Sequence, residues 1–572
     1  MEEEPSYPGP KTGLAVDMLV ITLLWCVSIL LISPLGNFPL NDDWSYGLAV
    51  KNLVEQGDFR PTGWTSMPLI TQVLWGSLFC IPGGFSFSAL RLATLSLSLL
   101  GILGLYMLMR HLRQPRRLAV IAAMALGFNP VYYALSNTFM TDVPYTAVTV
   151  IASVFFVRCL KSDSNVDLAI GTALTLAATL TRQVAITLAV AFALSLILRR
   201  GAAVRNMLRA ALPPGICIIA LLAFQRWLEA TGRLPALYHV RTDSVLRFLT
   251  TPGELVPFFV CNSYVILLHL GIWLLPVLIF VAASIWRHDR KKAMVALASA
   301  VGAVAVLSAV RAAHYGRELL MPFSDPGSIM VESGIGPLTL RDTFMLNLDH
   351  VPALPAGFWL AVTAVCMLGA ALLAMSVAIA AIALAARFRP ARMNEAEASG
   401  AFLLIGAALY LAPLLGSGLF FDRYFLPAAP LIAAGIASAF SRLPQVNPGL
   451  CRAPAVALVV AFALFSICGT RDYLAWNRIR WEALDDLMTS NGIREEEIDG
   501  GFEFNGLHLY DVRYQPARGK SWWWVHRDTY LISFGSLRGY TVIRKYDWPR
   551  WMPPHTGQVL VLRRGPRRAL RR

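Results

Sequence analysis

Apolar runs recur along almost the whole chain, broken by short polar loops. Thirteen are long enough to read as membrane segments: 13–35, 87–110, 118–135, 143–160, 166–181, 184–199, 210–228, 256–286, 293–311, 356–386, 401–417, 425–441 and 454–470. A hydrocarbon core about 30 Å thick takes roughly 20 apolar residues as a helix. The pattern predicts an all-α polytopic membrane protein of about 13 transmembrane helices. Between the first two runs the period changes. Tyr46, Ala49, Val50, Leu53 and Val54 form an apolar stripe at helical spacing, opposed by Lys51, Asn52, Glu55 and Gln56. That is an amphipathic helix lying along the membrane surface, capped by Asn41 or Asp42 and stopped at Gly57. The stretch 65–82 is apolar but short and reads as a second interfacial helix. From Thr470 onward the long runs cease. A helix over 479–491, ended by Gly492, and strands over 529–534, 540–546 and 558–564 predict a small α+β domain. The expected division is therefore a membrane domain, 1–470, with an outer loop over about 36–86, and a soluble domain, 471–572.

Composition agrees with this picture. Of the 572 residues, 56% are hydrophobic and 15% charged, against about 25% charged in a soluble domain. The net charge of +15 would suggest nucleic acid in a soluble chain. Here the basic residues crowd into alternate short loops, such as Arg110 to Arg117, Arg199 to Arg209 and Arg287 to Lys292. Short basic loops mark the cytoplasmic side, so the partners are membrane lipids and nucleic acid is excluded. The expected topology has a cytoplasmic N-terminus and an external C-terminal domain, in the inner or cytoplasmic membrane of a cell. The first apolar run has no small-residue cleavage site and reads as a retained span. The eight cysteines form no Cys-x-x-Cys pair and read as small hydrophobes within helices.

The outer loops carry the chemistry. Asn41-Asp42-Asp43-Trp44 follows the first span. Adjacent carboxylates repel, which suits one of them to act as a general base on a hydroxyl; the same residues also suit a helix cap. Asp142 opens the fourth span, where Thr141 or Asp142 serves equally as a cap with Pro144 in the first turn. Arg91, Arg182 and Arg423 stand at outer span ends, against the orientation rule. Together with the acids they suggest an anionic ligand, a lipid phosphate held bidentately. Tyr46, Tyr424 and Asn137 are candidate substrate contacts beside them. His239, His314, Glu332 and His350 lie in outer loops without metal-ligand spacing, so no metal site is read; no cofactor is assigned, and a divalent metal stays open without support in the sequence. Trp522-Trp523-Trp524 fits a sugar-stacking platform, but also a domain core or an interfacial belt.

These motifs, in this order, resemble the GT-C superfamily of membrane glycosyltransferases, and within it glycosyltransferase family 39 and the bacterial aminoarabinose-transferase type. The resemblance rests on the Asp42-Asp43 pair, the helix of Tyr46 to Val54, Phe87-Ser88-Ala89-Leu90-Arg91-Leu92, Asp142, and Asp422-Arg423-Tyr424 with Pro427. It extends to Trp481-Glu482-Ala483-Leu484 and to Asp499 through Gly506 in the tail. It implies a polyprenyl-phosphate-linked sugar as donor, Asp42 as the base, Asp142 as the second outer acid and Arg91 near the lipid phosphate. Where the aminoarabinose type carries Glu-Lys-Pro, this chain has Ser66-Met67-Pro68, and a metal site built on that Glu is not implied.

The sequence thus reads as an integral membrane glycosyltransferase, a hexosyl- or pentosyltransferase. It moves a sugar from a polyprenyl-phosphate carrier to an acceptor lipid, glycan or protein hydroxyl, with inversion. A lipid or solute transporter, and a lipid-glycan polymerase or ligase, are the alternatives.

Overall fold

The computed structural model describes residues 11–238, 252–316, 320–323, 327–385, 393–417, 420–441, 443, 448–516 and 523–565. In chain order its principal helices are α1 (Lys11–Ile32), α2 (Asp43–Gln56), α3 (Ile70–Cys80), α4 (Phe87–His111), α5 (Arg116–Gly127), α6 (Pro130–Ser136), α7 (Asp142–Ser162), α8 (Asn165–Thr179), α9 (Ile186–Arg200) and α10 (Val204–Ala230). They continue as α11 (Pro252–His288), α12 (Arg290–Tyr315), α13 (Ala356–Ala385), α14 (Glu395–Leu415), α15 (Ala428–Ala439), α16 (Pro448–Asp485) and α17 (Phe502–Leu509).

Among the described residues ten helices are long and apolar enough to cross a membrane, and α5 with α6, bent by 61°, is an eleventh where the pair counts as one broken span rather than a re-entrant loop. The chain is a multi-pass membrane protein. All thirteen expected runs are helical. The difference in number comes from α8 and α15, which are 15 and 12 residues long and fall short of a full crossing on their own. Helix α3 is shorter still, 11 residues, or about 16 Å, too short to cross on its own.

Local chemistry sets the breaks that later shape the site. Asn129 accepts hydrogen bonds from Val131 N and Tyr132 N, with Pro130 at the first helical position. This restarts the chain as α6 at an angle to α5, because a proline N-cap partner fixes the entry and supplies no amide. The short loop 137–141 then turns into α7. Ser86 caps α4 by accepting from Ala89 N at 3.1 Å. Gly57 ends α2 in the left-handed region, at φ +67°, where a residue without Cβ is favoured.

The two ends of the bundle differ. One carries Arg158 paired with Asp167, Arg199 with Glu395 and Arg209 with Asp163. The other gathers the starts of α2, α7 and α15. Above that second end lies a four-stranded sheet, order β3-β4-β6-β5, from β3 (Ile498–Asp499), β4 (Tyr530–Ser533), β5 (Tyr540–Trp551) and β6 (Pro554–Arg564). The β3/β4 pair is parallel and the others antiparallel. A small hairpin, β1 (Met330–Val331) and β2 (Gly334–Ile335), precedes it. All three expected strands are present, and the second runs five residues further than its alternation indicated.

The soluble part is continuous with the membrane part. The expected boundary at 470 falls inside α16, which carries through to Asp485 and a last wide turn, Asp486–Ser490, before Gly492 at φ +63°. The helix expected over 479–491 is the far end of the last span. The loop between α12 and α13 is built into the same body: Arg341 bonds Asp528 at 2.8 Å, and Asp342 accepts from Phe534 N at 2.8 Å.

Candidate active site

The expected carboxylates lie at the starts of two helices, yet neither works as a cap. Asp42 occupies the N-cap position of α2 and Thr141 that of α7, both without a side-chain capping bond. Asp42 instead accepts from the indole Nε1 of Trp64 at 2.9 Å through Oδ1. Its Oδ2 faces Nη2 of Arg423 at 3.6 Å. The Asp42 side chain keeps 15% of its surface exposed, so it is reachable from solvent or by a ligand.

Asp43 is placed differently. Its side chain is buried, and it accepts from Phe139 N at 2.8 Å and Leu40 N at 3.3 Å. It ties the start of α2 to the loop before α7. Burial pushes its pKa up to about 8, against the bond from Phe139 and the charge of Arg91. Both Asp43 oxygens are buried against backbone amides, while Asp42 keeps a partly exposed carboxylate, and geometry therefore favours Asp42 of the pair as a proton acceptor for a ligand.

Asp142 is fully buried and paired with Arg182, Nη1 to Oδ1 at 2.7 Å. Its other oxygen, Oδ2, has no hydrogen-bond partner. Arg182 also lies over the ring of Tyr145 at 5.9 Å, and Tyr145 stacks on Tyr410. Arg423 donates to Gly327 O at 2.5 Å and lies over Phe421 at 4.6 Å. Burial works against its charge, but Tyr424, Asp42, Asp142 and Tyr46 outweigh this and raise its pKa. Tyr46 is buried and has its pKa raised by burial first and then by Asp42, while Arg423 and Arg182 pull it down. Two carboxylates, two guanidiniums and the phenols of Tyr46 and Tyr424 thus share one electrostatic neighbourhood. Asp422, whose Oδ1 accepts from Arg423 N at 2.7 Å, adds a third carboxyl beside it.

The structure does not bring Arg91 into this group. Its side chain, only 1% exposed, donates to the carbonyls of Pro34, Gly36 and Phe38 and lies over the Phe38 ring at 5.0 Å. A guanidinium used this way fixes the path from α1 to Asp42. Asn137 is also occupied, donating to Tyr133 O at 2.9 Å at the end of α6, with Oδ1 buried and unpartnered. Asp422 receives Ile329 N and Met330 N and so anchors β1 beside Arg423.

The remaining candidates lie elsewhere. His239 and Trp522 fall outside the described residues. His314 ends α12 and is exposed, and His350 sits 3.9 Å from Asp342. Trp523 and Trp524 are buried with Trp44 and Phe502, and Trp64, Tyr510 and Tyr514 pack around them. They form a core between α2 and the soluble part. Among the described residues no three His, Cys, Asp or Glu side chains group as metal ligands. Asp42 and Asp142 each face an arginine, a donor set unlike that of a divalent ion.

Two residues escaped the sequence reading. Trp64 carries no local signal. Tyr410 does carry one, as a phenol inside the apolar run of α14, and its hydroxyl donates to Tyr424 O at 3.0 Å.

Residues 67–228 match the family described as dolichyl-phosphate-mannose-protein mannosyltransferase. The stretch includes Arg91, Asn137, Asp142 and Arg182 but neither Asp42 nor Arg423. The match agrees with the resemblance drawn from the motifs and supports a glycosyltransferase of the GT-C superfamily. No curated protein matches the sequence. Among solved structures, the apo oligosaccharyltransferase of Archaeoglobus fulgidus is similar with a TM-score of 0.44 and 15% identity, over 90% of this chain and 63% of that one. ArnT from Cupriavidus metallidurans, bound to undecaprenyl phosphate, gives a TM-score of 0.37 and 16% identity, over 85% and 82%. The chain thus spans less than two thirds of the archaeal enzyme.

Proposed function

We propose that this protein transfers a sugar from a polyprenyl-phosphate carrier to an acceptor hydroxyl at the outer face of the membrane. The observation that carries the reading is Asp42, a partly exposed carboxylate held by Trp64 and facing Arg423 at the membrane end where Asp142 and Arg182 also lie. Asp42 takes the proton of the acceptor hydroxyl as its oxygen attacks the anomeric carbon. The bond from that carbon to the lipid phosphate breaks, and the phosphate leaves with the electron pair. A single displacement of this kind inverts the anomeric centre.

The facing of Asp42 and Arg423 supports a coupling between the two events. While Asp42 is ionised it offsets the charge of Arg423. Once it takes the proton, the Arg423 charge is left to the departing phosphate, in surroundings where few waters compete. Arg182 stays paired with Asp142 and holds the other side of the cluster. Tyr46 and Tyr424 offer substrate contacts.

The test uses purified protein in detergent with a radiolabelled polyprenyl-phosphate sugar and an envelope extract as acceptor. Label that leaves the lipid and appears on an acceptor supports transfer. Label that stays on intact carrier, while the same protein in liposomes moves the lipid or a solute across the bilayer, would overturn it in favour of transport. Label that joins glycan chains still attached to their carriers would point to a polymerase.

A further inference from the structure

The residue immediately before Asp42 is gripped by the far end of the chain. Asn41 N donates to Oε1 of Glu503 at 3.0 Å, across 462 residues of sequence. Asn41 is left-handed, at φ +57°, a conformation that asparagine tolerates but that surrounding contacts must hold. The other oxygen of Glu503 accepts from Thr339 Oγ1 at 2.6 Å and Arg480 Nη1 at 2.8 Å. The side chains of Arg480 and Glu503 are both wholly buried. Three donors on two oxygens leave the carboxylate a single orientation.

The helix that carries Glu503 is set close on α2. A Cβ at Gly506 would fall 2.3 Å from the Trp44 ring, so only glycine lets α17 approach this far. Its start is fixed in turn: Asn505 donates to Asp499 at 2.9 Å and accepts from Gly500 N at 3.0 Å. On the other side of Asp42, Asp43 is latched to Phe139. Asp42 therefore sits between two clamps, one of them from the soluble part, while its own carboxylate makes no capping bond.

We propose that Glu503 is a positioning residue for Asp42, setting its carboxylate through the Asn41 peptide, so that the C-terminal part is a working half of the active site. This rests on the reading of Asp42 as the base. Glu503 touches no substrate in this account; it acts on where the base stands. Displacing a reacting group by about 1 Å can cost up to ~10²-fold in rate.

The experiment measures turnover, donor-lipid binding and thermal melting for Glu503→Asp, Asp42→Asn and the double variant. Glu503→Asp shortens the side chain by one methylene and keeps its charge for Arg480. It should lower kcat by about 10- to 100-fold with donor affinity kept. In the Asp42→Asn background the same change should add no further loss, because the group it positions is already disabled. A Glu503→Asp variant that folds and turns over like wild type would overturn the proposal, as would an equal loss in both backgrounds. Glu503→Gln carries the same comparison if the shorter side chain does not fold. Wild-type turnover in Asp42→Asn alone would instead strike the base reading.

Discussion

The indole N–H of Trp64 points at Oδ1 of Asp42, 2.9 Å away, and leaves Oδ2 toward Arg423. One oxygen is thus held by a neutral donor and the other faces a cation at longer range, which orients the carboxylate. Trp64→Phe keeps an aromatic ring among Trp44, Phe502 and Tyr510 while deleting this bond. Hydrogen bonds to charged groups are worth roughly 1.5–3 kcal/mol. The variant should lose about tenfold or more in kcat with little change in donor KM, read by steady-state kinetics on lipid-linked donor.

Arg91 should behave as a structural residue. Its guanidinium satisfies three carbonyls on the segment Pro34 to Phe38. Arg91→Ala strands buried acceptors and is expected to cost about 3 kcal/mol or more in stability. Detergent-solubilised variant should melt earlier, while the fraction still folded binds donor lipid with wild-type affinity. Arg423→Ala should do the reverse, weakening donor binding more than it lowers the melting point.

Asp43 gives the fold a pH dependence. Its pKa is raised by burial from 3.8 to about 8. Between those values the folded chain keeps a proton that the unfolded chain has released. The contribution of this group to stability is therefore full below about pH 4 and lost as pH rises through about 8. Asp43→Asn mimics the protonated form at every pH. Its melting temperature should fall less steeply than that of wild type between pH 5 and 9; parallel curves would remove Asp43 as the source.

How much of this could be read from the chain differs by range of interaction. The helix through Tyr46 to Val54 follows from its stripe and stops at Gly57 as the pattern requires. The apolar runs are helical because lipid offers no partner for backbone N–H and C=O groups and a helix satisfies them within the segment, and their ends follow from caps such as Ser86 and Asn394. Asp42, Asp142, Arg182 and Arg423 were visible as charges at span ends, where a bare ion is costly. What each charge touches was not visible. Arg91 and Arg182 look alike in sequence, yet one meets backbone carbonyls and the other a carboxylate 40 residues away. Glu503 meets Asn41 only because α16 returns the chain to α2. The tryptophans at 523 and 524 became core for the same reason: Trp524 packs on Trp44, at the other end of the sequence, and Trp523 on Phe344 and Phe502.

The central claim is tested most directly by comparing Asp42→Asn with Asp43→Asn and Asp142→Asn in sugar transfer, on protein shown to be folded and to bind donor lipid. Loss of a general base typically costs ~10²–10⁴ in rate. The account predicts that Asp42→Asn loses turnover on that scale with donor binding kept. Asp43→Asn should keep most of its turnover, since Asp43 is largely protonated already. Asp142→Asn should suffer chiefly in stability, because it leaves Arg182 buried without its partner. Wild-type turnover from Asp42→Asn would contradict the account at its centre, whichever sugar is transferred.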